Sequence, residues 1–503
     1  MRDNLLGFDV GSSSIKATLI RGKDGSVIAS ATSPETEMDI QAEKAGWAEQ
    51  DPAVWWEHVV KAAREIGEQF PSEMKQAAAV GISYQMHGLV LVDGKGQVLR
   101  PSIIWCDSRA VPYGEKAFND LGEKKCLQNL LNSPGNFTAS KLAWVKENEP
   151  DLFGRIDKIM LPGDYIAYRM TGEICTTPSG LSEGILWNVT ENGPAAFLME
   201  YFGFSTGMLP EVRETFSSQG NISDSAASRL GIPAGIPVAY RAGDQPNNAF
   251  SLNVLQPGEL AATAGTSGVV YGVAGSPVYD DFSRVNTFVH VNHQPAAAAD
   301  RYGVLLCVNG TGILNRWIKQ NCLTVEGTGL SYPRMNTLGE KAPVGAEGLV
   351  ILPYGNGAER TLKNSNPGGS VHNLNFNIHT QSHLVRAAQE GIVFALKYGL
   401  DIMEQMGMEI KTVKAGEANM FLSPLFQEAF STVTGTEVIL YNTDGSQGAA
   451  RGAGVGAGYY ADFGEAFAGL EEKKRITPDR GREKDYQKAY ETWLSVLRET
   501  VTR

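Results

Sequence analysis

The stretch "NLLGFDVGSSSIKATLI", residues 4–20, decides the fold. Two apolar runs, "LLGFDV" and "IKATLI", flank a turn of small residues, Gly11-Ser12-Ser13-Ser14, and this pattern predicts two antiparallel strands joined by a hairpin. "SVIASATS", residues 26–33, follows the turn "RGKDG" as a third strand of the meander. A turn of small residues after a strand can present backbone N–H groups to phosphate oxygens. It lacks the P-loop pattern G-x-x-x-x-G-K-[ST] and leads into a strand instead of a helix. A plain hairpin turn explains the Gly and Ser equally well. Asp9 separates the two alternatives. A carboxylate within a few ångströms of a triphosphate repels it unless a divalent cation lies between, and Mg²⁺ takes one or two carboxylates plus waters and phosphate oxygens. Asp9 is therefore a candidate metal-side carboxylate beside Gly11, Ser12 and Ser13.

Working outward, "DPAVWWEHVVKAAREIGEQF" opens on Asp51-Pro52, an N-cap followed by proline at the first helical position, and carries apolar residues at helical spacing. "AAAVGISY" returns to strand, so the chain predicts an α/β fold of sheets covered by helices. "GELAATAGTSGVVYGVAG", residues 258–275, repeats strand, small turn, strand. Setting Gly265, Thr266, Ser267 and Gly268 on the first turn places Thr263 opposite Asp9. The echo predicts a second, similar domain with its own phosphate-facing turn; ordinary hairpin chemistry is the alternative. A strand ending in a Gly/Pro/Asn cluster, "PVAYRAGDQPNNAF", marks the expected boundary, giving domains 1–243 and 244–503. Further on, "SPLFQEAFSTVTG" predicts an N-capped helix and "TEVILY" a strand. "DGSQGAARGAGVGAGYY", rich in Gly and Ala, predicts a helix packed closely on backbone. The charged "LEEKKRITPDRGREKDYQ" is expected to be solvated surface, ahead of a final amphipathic helix in "YQKAYETWLSVLRETV".

A chain of 503 residues is long enough for more than one domain. Apolar residues make up 42% and no window approaches the roughly 18 consecutive apolar residues of a membrane span. No secretory h-region precedes the first strand, so a cytoplasmic protein with no membrane partner is expected. Net charge is -12, which argues against a nucleic-acid partner. The five cysteines form no C-x-x-C pair and are expected as buried thiols in a reducing compartment.

Asp244, in "RAGDQPNN", stands at a strand end, where α/β sheets bind ligands. An Asp capping a following helix is the competing account. Gln85, Met86 and His87 precede Gly88 where another strand turns; Gln and His can grip hydroxyl groups, or the His can be a satisfied core residue. In "IIWCDSRA", Trp105 offers an aromatic face beside Asp107 and Arg109, a mixture that suits a sugar or is ordinary packing plus an ion pair. His290 and His293 have H-x-x-H spacing but no third ligand nearby in sequence. Asn136 in "NFT" matches a glycosylation acceptor that has no meaning without export.

In chain order, "GFDVGSSSIK", "QMHG", "IIWCDSR", "LPGDYIAYRMTGE", "AGDQPNNAF", "ATAGTSG", "LPYGNGAERT" and "DGSQGAARGAG" resemble the motifs of the FGGY carbohydrate kinases, over about residues 5–460. The resemblance implies two actin-like domains of ribonuclease-H-type topology with a cleft between them, sugar held mainly by the first and ATP mainly by the second. It implies transfer of phosphate from ATP to D-xylulose, giving D-xylulose 5-phosphate in pentose catabolism. "QMHG" is shared with members that phosphorylate sedoheptulose, whereas "LPGDYIAYRMTGE" after "WCDSR" looks more like those acting on D-xylulose; ribulose is a further alternative. By the same resemblance Asp244 is the general base, and Met86 and His87 contact the sugar; Gln85, Trp105 and Asp107 are added as sugar-binding candidates from the residue types noted above. Asp9 lies near Mg²⁺ and the γ-phosphate. Gly11, Ser12 and Ser13, with Gly265, Thr266 and Ser267, form two phosphate loops, and Gly312, Gly416 and Asn419 hold the nucleotide. Sugar and ATP are the implied partners, and a homodimer is what relatives allow. An actin- or Hsp70-like ATPase without a sugar substrate would share the paired hairpins but has no use for "QMHG" or "WCDSR".

Three departures stand out. Ser14 replaces a common Gly, and a non-Gly residue accepts positive φ less readily, so the first loop is expected to differ in shape. Glu417 interrupts a usual glycine run in "AGEAN". Glu183, in "TTPSGLSEGILWN", comes with one apparent inserted residue, and if this stretch lines the sugar pocket the substrate is expected to differ from xylulose.

Overall fold

The computed structural model describes residues 2–294, 299–325 and 328–502. The chain forms two compact units. The first comprises the chain up to Leu255, Phe288–Tyr302 and Thr443–Leu470; the second comprises Gln256–Thr287, Gly303–Asn442 and the chain from Glu471 onward. The expected break between 243 and 244 therefore falls inside the first unit. Asp244 opens a helix directly on the strand before it, so this stretch cannot separate from that sheet, and the Gly/Ala-rich helix returns to the first unit late in the chain.

In the first unit, strands β1 (Asn4–Val10), β2 (Ile15–Arg21) and β3 (Val27–Ser33) form the predicted antiparallel meander. β4 (Ala77–Tyr84) and β5 (Val238–Gly243) add in parallel, giving the order β5-β4-β1-β2-β3. Helix α1 (Pro52–Gln69) begins where expected, the Asp51 side chain accepting from Ala53 N at 2.9 Å. Alternation along β1 sorts its side chains. Leu6, Phe8 and Val10 join Trp55, Trp56 and Val59 of α1 in one core, whereas Leu5 joins the core around α8 (Gly445–Gly456) on the other face. Helices α2 (Thr138–Asn148), α3 (Pro178–Glu183) and α4 (Asp244–Ser251) complete what positions the site.

The close approach predicted for the Gly/Ala helix is real. A Cβ on Gly7 would fall 1.9 Å from Ser446 O, and one on Gly81 would fall 1.9 Å from Ala449 O, so β1 and β4 must carry glycine where α8 crosses them.

The second unit is built on the sheet β8-β9-β7-β6-β10-β11-β12. Its strands are β6 (Glu259–Ala264), β7 (Gly268–Ala274), β8 (Asn286–Val289), β9 (Tyr302–Val308), β10 (Thr412–Gly416), β11 (Val438–Tyr441) and β12 (Glu472–Ile476). The hairpin β6-β7 reproduces β1-β2: both are antiparallel across a short small-residue turn, and both first strands pair in parallel with a later one. Helix α5 (Gly312–Asn321) follows β9; α6 (Gln381–Gln405), α7 (Pro424–Thr434) and α9 (Glu483–Val501) pack together. The charged tail is not only solvated surface, because "EKKRI" forms β12, an antiparallel edge strand whose side chains stay exposed. Charge on an edge strand discourages pairing with other chains.

Cys126 and Cys175 are buried as expected, but Cys106 is exposed and Cys307 and Cys322 are partly exposed. Among the described residues no helix is long and apolar enough to cross a membrane.

Candidate active site

A cavity of about 460 Å³ opens in the first unit at the C-terminal ends of β1 and β4, and Asp9, Gln85 and Asp244 line it together with the turn Gly11-Ser12-Ser13-Ser14. Asp9 reaches it from the next-to-last residue of β1, held by its neighbour in the parallel register, Ser83, whose Oγ donates to Asp9 Oδ1 at 2.8 Å. Burial raises the Asp9 pKa, partly offset by that hydrogen bond. Lys16, opposite Asp9 in the antiparallel register, also lines the cavity and pairs with Asp444 at 2.7 Å.

The turn is tied down by its carbonyls. Gln50 Nε2 donates to Ser12 O at 2.7 Å, Met38 N donates to Ser13 O at 2.8 Å, and Gly11 N donates to Ser14 O at 3.1 Å. The amides of Ser12 and Ser13 find no acceptor among the described residues, which is the arrangement a phosphate cradle needs, although Gly11 N is spent inside the turn. Ser14 does not strain the loop: it is not among the residues at positive φ, and its carbonyl closes the turn. The expected unusual backbone is absent because this two-strand connection never requires a left-handed residue there.

Asp244 is the first residue of α4, immediately after β5. Burial, reinforced by the Asp9 carboxylate, pushes its pKa up to about 7. A carboxylate poised there can accept a proton from a hydroxyl near neutral pH.

Gln85 is buried, with its backbone N–H donating to Val10 O at 2.8 Å, its side-chain Nε2 donating to Gln50 Oε1 at 3.4 Å and its Oε1 lacking a partner among the described residues. Met86 is buried beside it. His87 adopts φ 61°, Nδ1 donates to Glu183 O at 2.9 Å, and its ring meets Phe137 edge-on with centroids 4.7 Å apart. Neither Met86 nor His87 forms part of the cavity wall described above. Trp105 does, half exposed, with Nε1 donating to Ser12 Oγ at 3.3 Å.

Asp107 is placed differently from the sequence expectation. It has no exposure, and its carboxylate accepts from Ala48 N at 2.6 Å and from Arg109 Nε at 2.9 Å, with Arg109 Nη2 paired to it at 2.7 Å. Arg109 in turn lies over the Trp47 ring, 3.7 Å from its centroid. The carboxylate is thus spent on an internal ion pair, the competing account for "WCDSR", and is not brought to the cavity.

The second unit has a cavity of about 370 Å³. Gly265, Thr266, Gly312 and Asn419 line it; Ser267 and Gly416 do not. α5 sits on the turn, Gly312 N donating to Gly265 O at 2.8 Å, and a Cβ on Gly312 would fall 2.3 Å from that same oxygen. Glu417 is exposed outside this wall, its amide donating to Tyr441 O at 2.9 Å.

Sequence reasoning missed Lys16, Gln50 and Thr32 in the first unit, and Arg316, Tyr332 and Ser423 in the second. Lys16 was within reach, because a hairpin closing at Val10 and Ile15 pairs Asp9 with Lys16. Arg316 follows one helical turn after Gly312. Gln50 and Tyr332 carry no local signal.

The H-x-x-H pair is structural. Burial pushes His290 down to about 3 while its Nε2 donates to Val254 O at 3.2 Å, and His293 Nδ1 accepts from Arg301 N at 3.1 Å. Among the described residues no cluster of three His, Cys, Asp or Glu side chains could hold a metal alone. A single carboxylate completed by substrate oxygens and water, as Asp9 offers, still fits Mg²⁺.

Comparison with known proteins matches residues 4–251 to the N-terminal domain, and residues 260–461 to the C-terminal domain, of the FGGY family of carbohydrate kinases. The chain is 29% identical over 504 residues to the xylulose kinase of Escherichia coli (strain K12), covering 99% of each. Among solved structures, a xyloylose kinase from Brucella ovis is 26% identical with a TM-score of 0.88 over 98% of both chains. A gluconate kinase from Lactobacillus acidophilus, 21% identical, has a TM-score of 0.89 over 99% of this chain and 98% of its own.

Proposed function

Because this chain belongs to the FGGY family of carbohydrate kinases, an ATP-dependent phosphotransferase family with an actin-like fold, we propose that it transfers the γ-phosphoryl group of ATP to D-xylulose. The observation that carries this reading is the convergence of Asp244 and Asp9 on one cavity beside a turn with free amides.

Phosphoryl transfer is mostly positioning and charge neutralisation. Asp244 accepts the proton of the attacking hydroxyl as the new bond to phosphorus forms; a pKa of about 7 lets it do so near neutral pH. Ser12 and Ser13 offer their amides to phosphate oxygens. Asp9, whose burial disfavours a bare charge, is the residue that would hold Mg²⁺, and the ion when bound neutralises phosphate charge. Gln85 supplies an acceptor without a partner, suited to a sugar hydroxyl, and Trp105 supplies an apolar face for the sugar carbons. The second unit's cavity, with Gly265, Thr266, Gly312 and Asn419, takes the nucleotide.

D-xylulose is favoured by the xylulose kinase relatives that match the chain over nearly its whole length. A coupled ADP-release assay across D-xylulose, D- and L-ribulose, sedoheptulose, glycerol and D-gluconate tests it. D-xylulose should give the highest kcat/KM, with turnover lost on chelation and restored by Mg²⁺. A higher value for another compound reassigns the substrate; ATP turnover indifferent to all of them removes the kinase reading.

A further inference from the structure

Glu183 is 2% exposed, and neither of its carboxyl oxygens has a hydrogen-bond partner among the described residues. The Tyr84 hydroxyl stands near it without hydrogen-bond geometry. Burying a charge unpaired is expensive, and burial with the Asp244 carboxylate nearby holds Glu183 well above the usual carboxylate range. A polar group kept in such a place needs a reason, and its surroundings supply one.

Glu183 ends α3, a short helix fixed at both ends. The Thr177 Oγ1 cap accepts from Gly180 N at 3.0 Å, Ser182 Oγ accepts from Val289 N at 2.9 Å, and Ala139 N of α2 donates to Gly184 O at 3.1 Å. From that anchored position the side chain reaches the backbone carrying the base. A Cβ on Gly243 would fall 2.3 Å from Glu183 Oε2 and 2.6 Å from Met86 Cγ, so both side chains crowd the peptide preceding Asp244. The main chain of the same residue holds the turn that follows β4, next to the cavity-lining Gln85, with His87 Nδ1 donating to Glu183 O at 2.9 Å. His87 itself is at φ 61°, a conformation that a non-glycine residue keeps only when its surroundings fix it.

We propose that Glu183 is a positioning residue for the sugar site: its carboxyl wedges between the Gly243 backbone and Met86, and its carbonyl anchors the His87 ring, so that one residue sets both the base and the turn that follows β4. The proposal rests on the reading of the first unit as the sugar-binding unit. It makes the shape of the group matter, and its negative charge irrelevant.

Two substitutions separate these properties. Glu183→Gln keeps the shape and should leave kcat, KM for sugar and KM for ATP within about threefold of the parent. Glu183→Ala empties the wedge and should raise KM for the sugar at least about tenfold, with KM for ATP within about twofold. In ligand-free crystals of the Ala variant, the Met86-His87 turn or the Gly243-Asp244 peptide should move by about 1 Å, a displacement large enough to matter for catalysis. A loss of thermal stability alone, with unchanged KM for sugar and an unmoved turn, would assign Glu183 to general packing and overturn the proposal. So would a Gln variant as impaired as the Ala variant, because the ionised carboxylate would then be the working group. If the parent protein phosphorylates no sugar at all, the function reading fails by itself, and the crystal comparison still decides whether Glu183 positions the turn.

Discussion

Lys16 Nζ and Asp444 Oδ2 stand 2.7 Å apart, joining the second strand of the meander to the residue that caps α8, 428 positions further along the chain. The same carboxylate accepts from Gln447 N at 3.0 Å through Oδ1. Burial works against its charge, but Lys16 and the cap hydrogen bonds outweigh it and hold its pKa below the usual carboxylate value. Stabilisation from a depressed carboxylate is present above its unfolded pKa and disappears as pH falls through the folded one. Asp444→Ala should therefore cost about 1–2 kcal/mol at pH 7, mostly from the lost N-cap. The cost should shrink as pH drops below 3.8, the ordinary value of the group. Thermal melts of parent and variant across pH 3–7 measure the difference; a penalty that does not change with pH would mean that the ionised form is not what stabilises.

Asp244 is shifted in the opposite direction, and its variant should behave in the opposite way. With a folded pKa of about 7 against 3.8 unfolded, the native state binds the proton more tightly between those values, so the ionised carboxylate weakens the fold at neutral pH and above. Asp244→Asn should raise the melting temperature at pH 8 while lowering kcat by roughly 10²-fold or more, since it removes the proton acceptor. In the parent, log(kcat/KM) should climb with unit slope up to about pH 7 and then level off. Sugar should still protect the Asn variant against heat. A variant that loses both turnover and protection would make Asp244 structural.

The glycines under α8 are required by contact and not by backbone conformation. Gly7 and Gly81 have no positive φ, yet a Cβ on either would fall 1.9 Å from a carbonyl oxygen of the helix. Backbone cannot yield as a flexible side chain does, so Gly7→Ala and Gly81→Ala should each destabilise by at least about 1–3 kcal/mol, the ordinary cost of overpacking. The melting transition measures it, with Gly94→Ala, where a Cβ meets nothing within 4 Å, as the control. Equal melting temperatures for all three variants would show that α8 can lift away without penalty.

The meander, α1, the repeated hairpin and the Gly/Ala helix were legible in the sequence because each rests on local rules: alternation, capping, turn residues and small-residue packing. Asp9 and Asp244 were legible as carboxylates at strand ends, and both line the first unit's cavity. Asp107 misled because "WCDSR" states which groups are present but not that Arg109 folds back onto its own neighbour. Gln50 was hidden because its hydrogen bond to Ser12 O joins residues 38 apart with no periodicity linking them. The make-up of the compact units was hidden for a related reason: contacts of the returning segment Thr443–Leu470 are set by tertiary packing, which short motifs do not encode. Ser14 was expected to distort a turn whose closure in fact uses only its carbonyl.

The second hairpin allows a separate check on nucleotide binding. Gly312 N donates to Gly265 O at 2.8 Å, and a Cβ at Gly312 would press on that oxygen at 2.3 Å, so the start of α5 and the turn touch backbone to backbone. Gly312→Ala must push α5 off the turn and reshape the cavity wall that Gly265, Thr266 and Gly312 form together. If this cavity holds ATP, KM for ATP should rise about tenfold or more, while sugar binding by the first unit, followed by calorimetry without nucleotide, should stay within about twofold. The split between the two ligands is what matters: a general loss of folding would weaken both together, and an unchanged KM for ATP would place the nucleotide elsewhere.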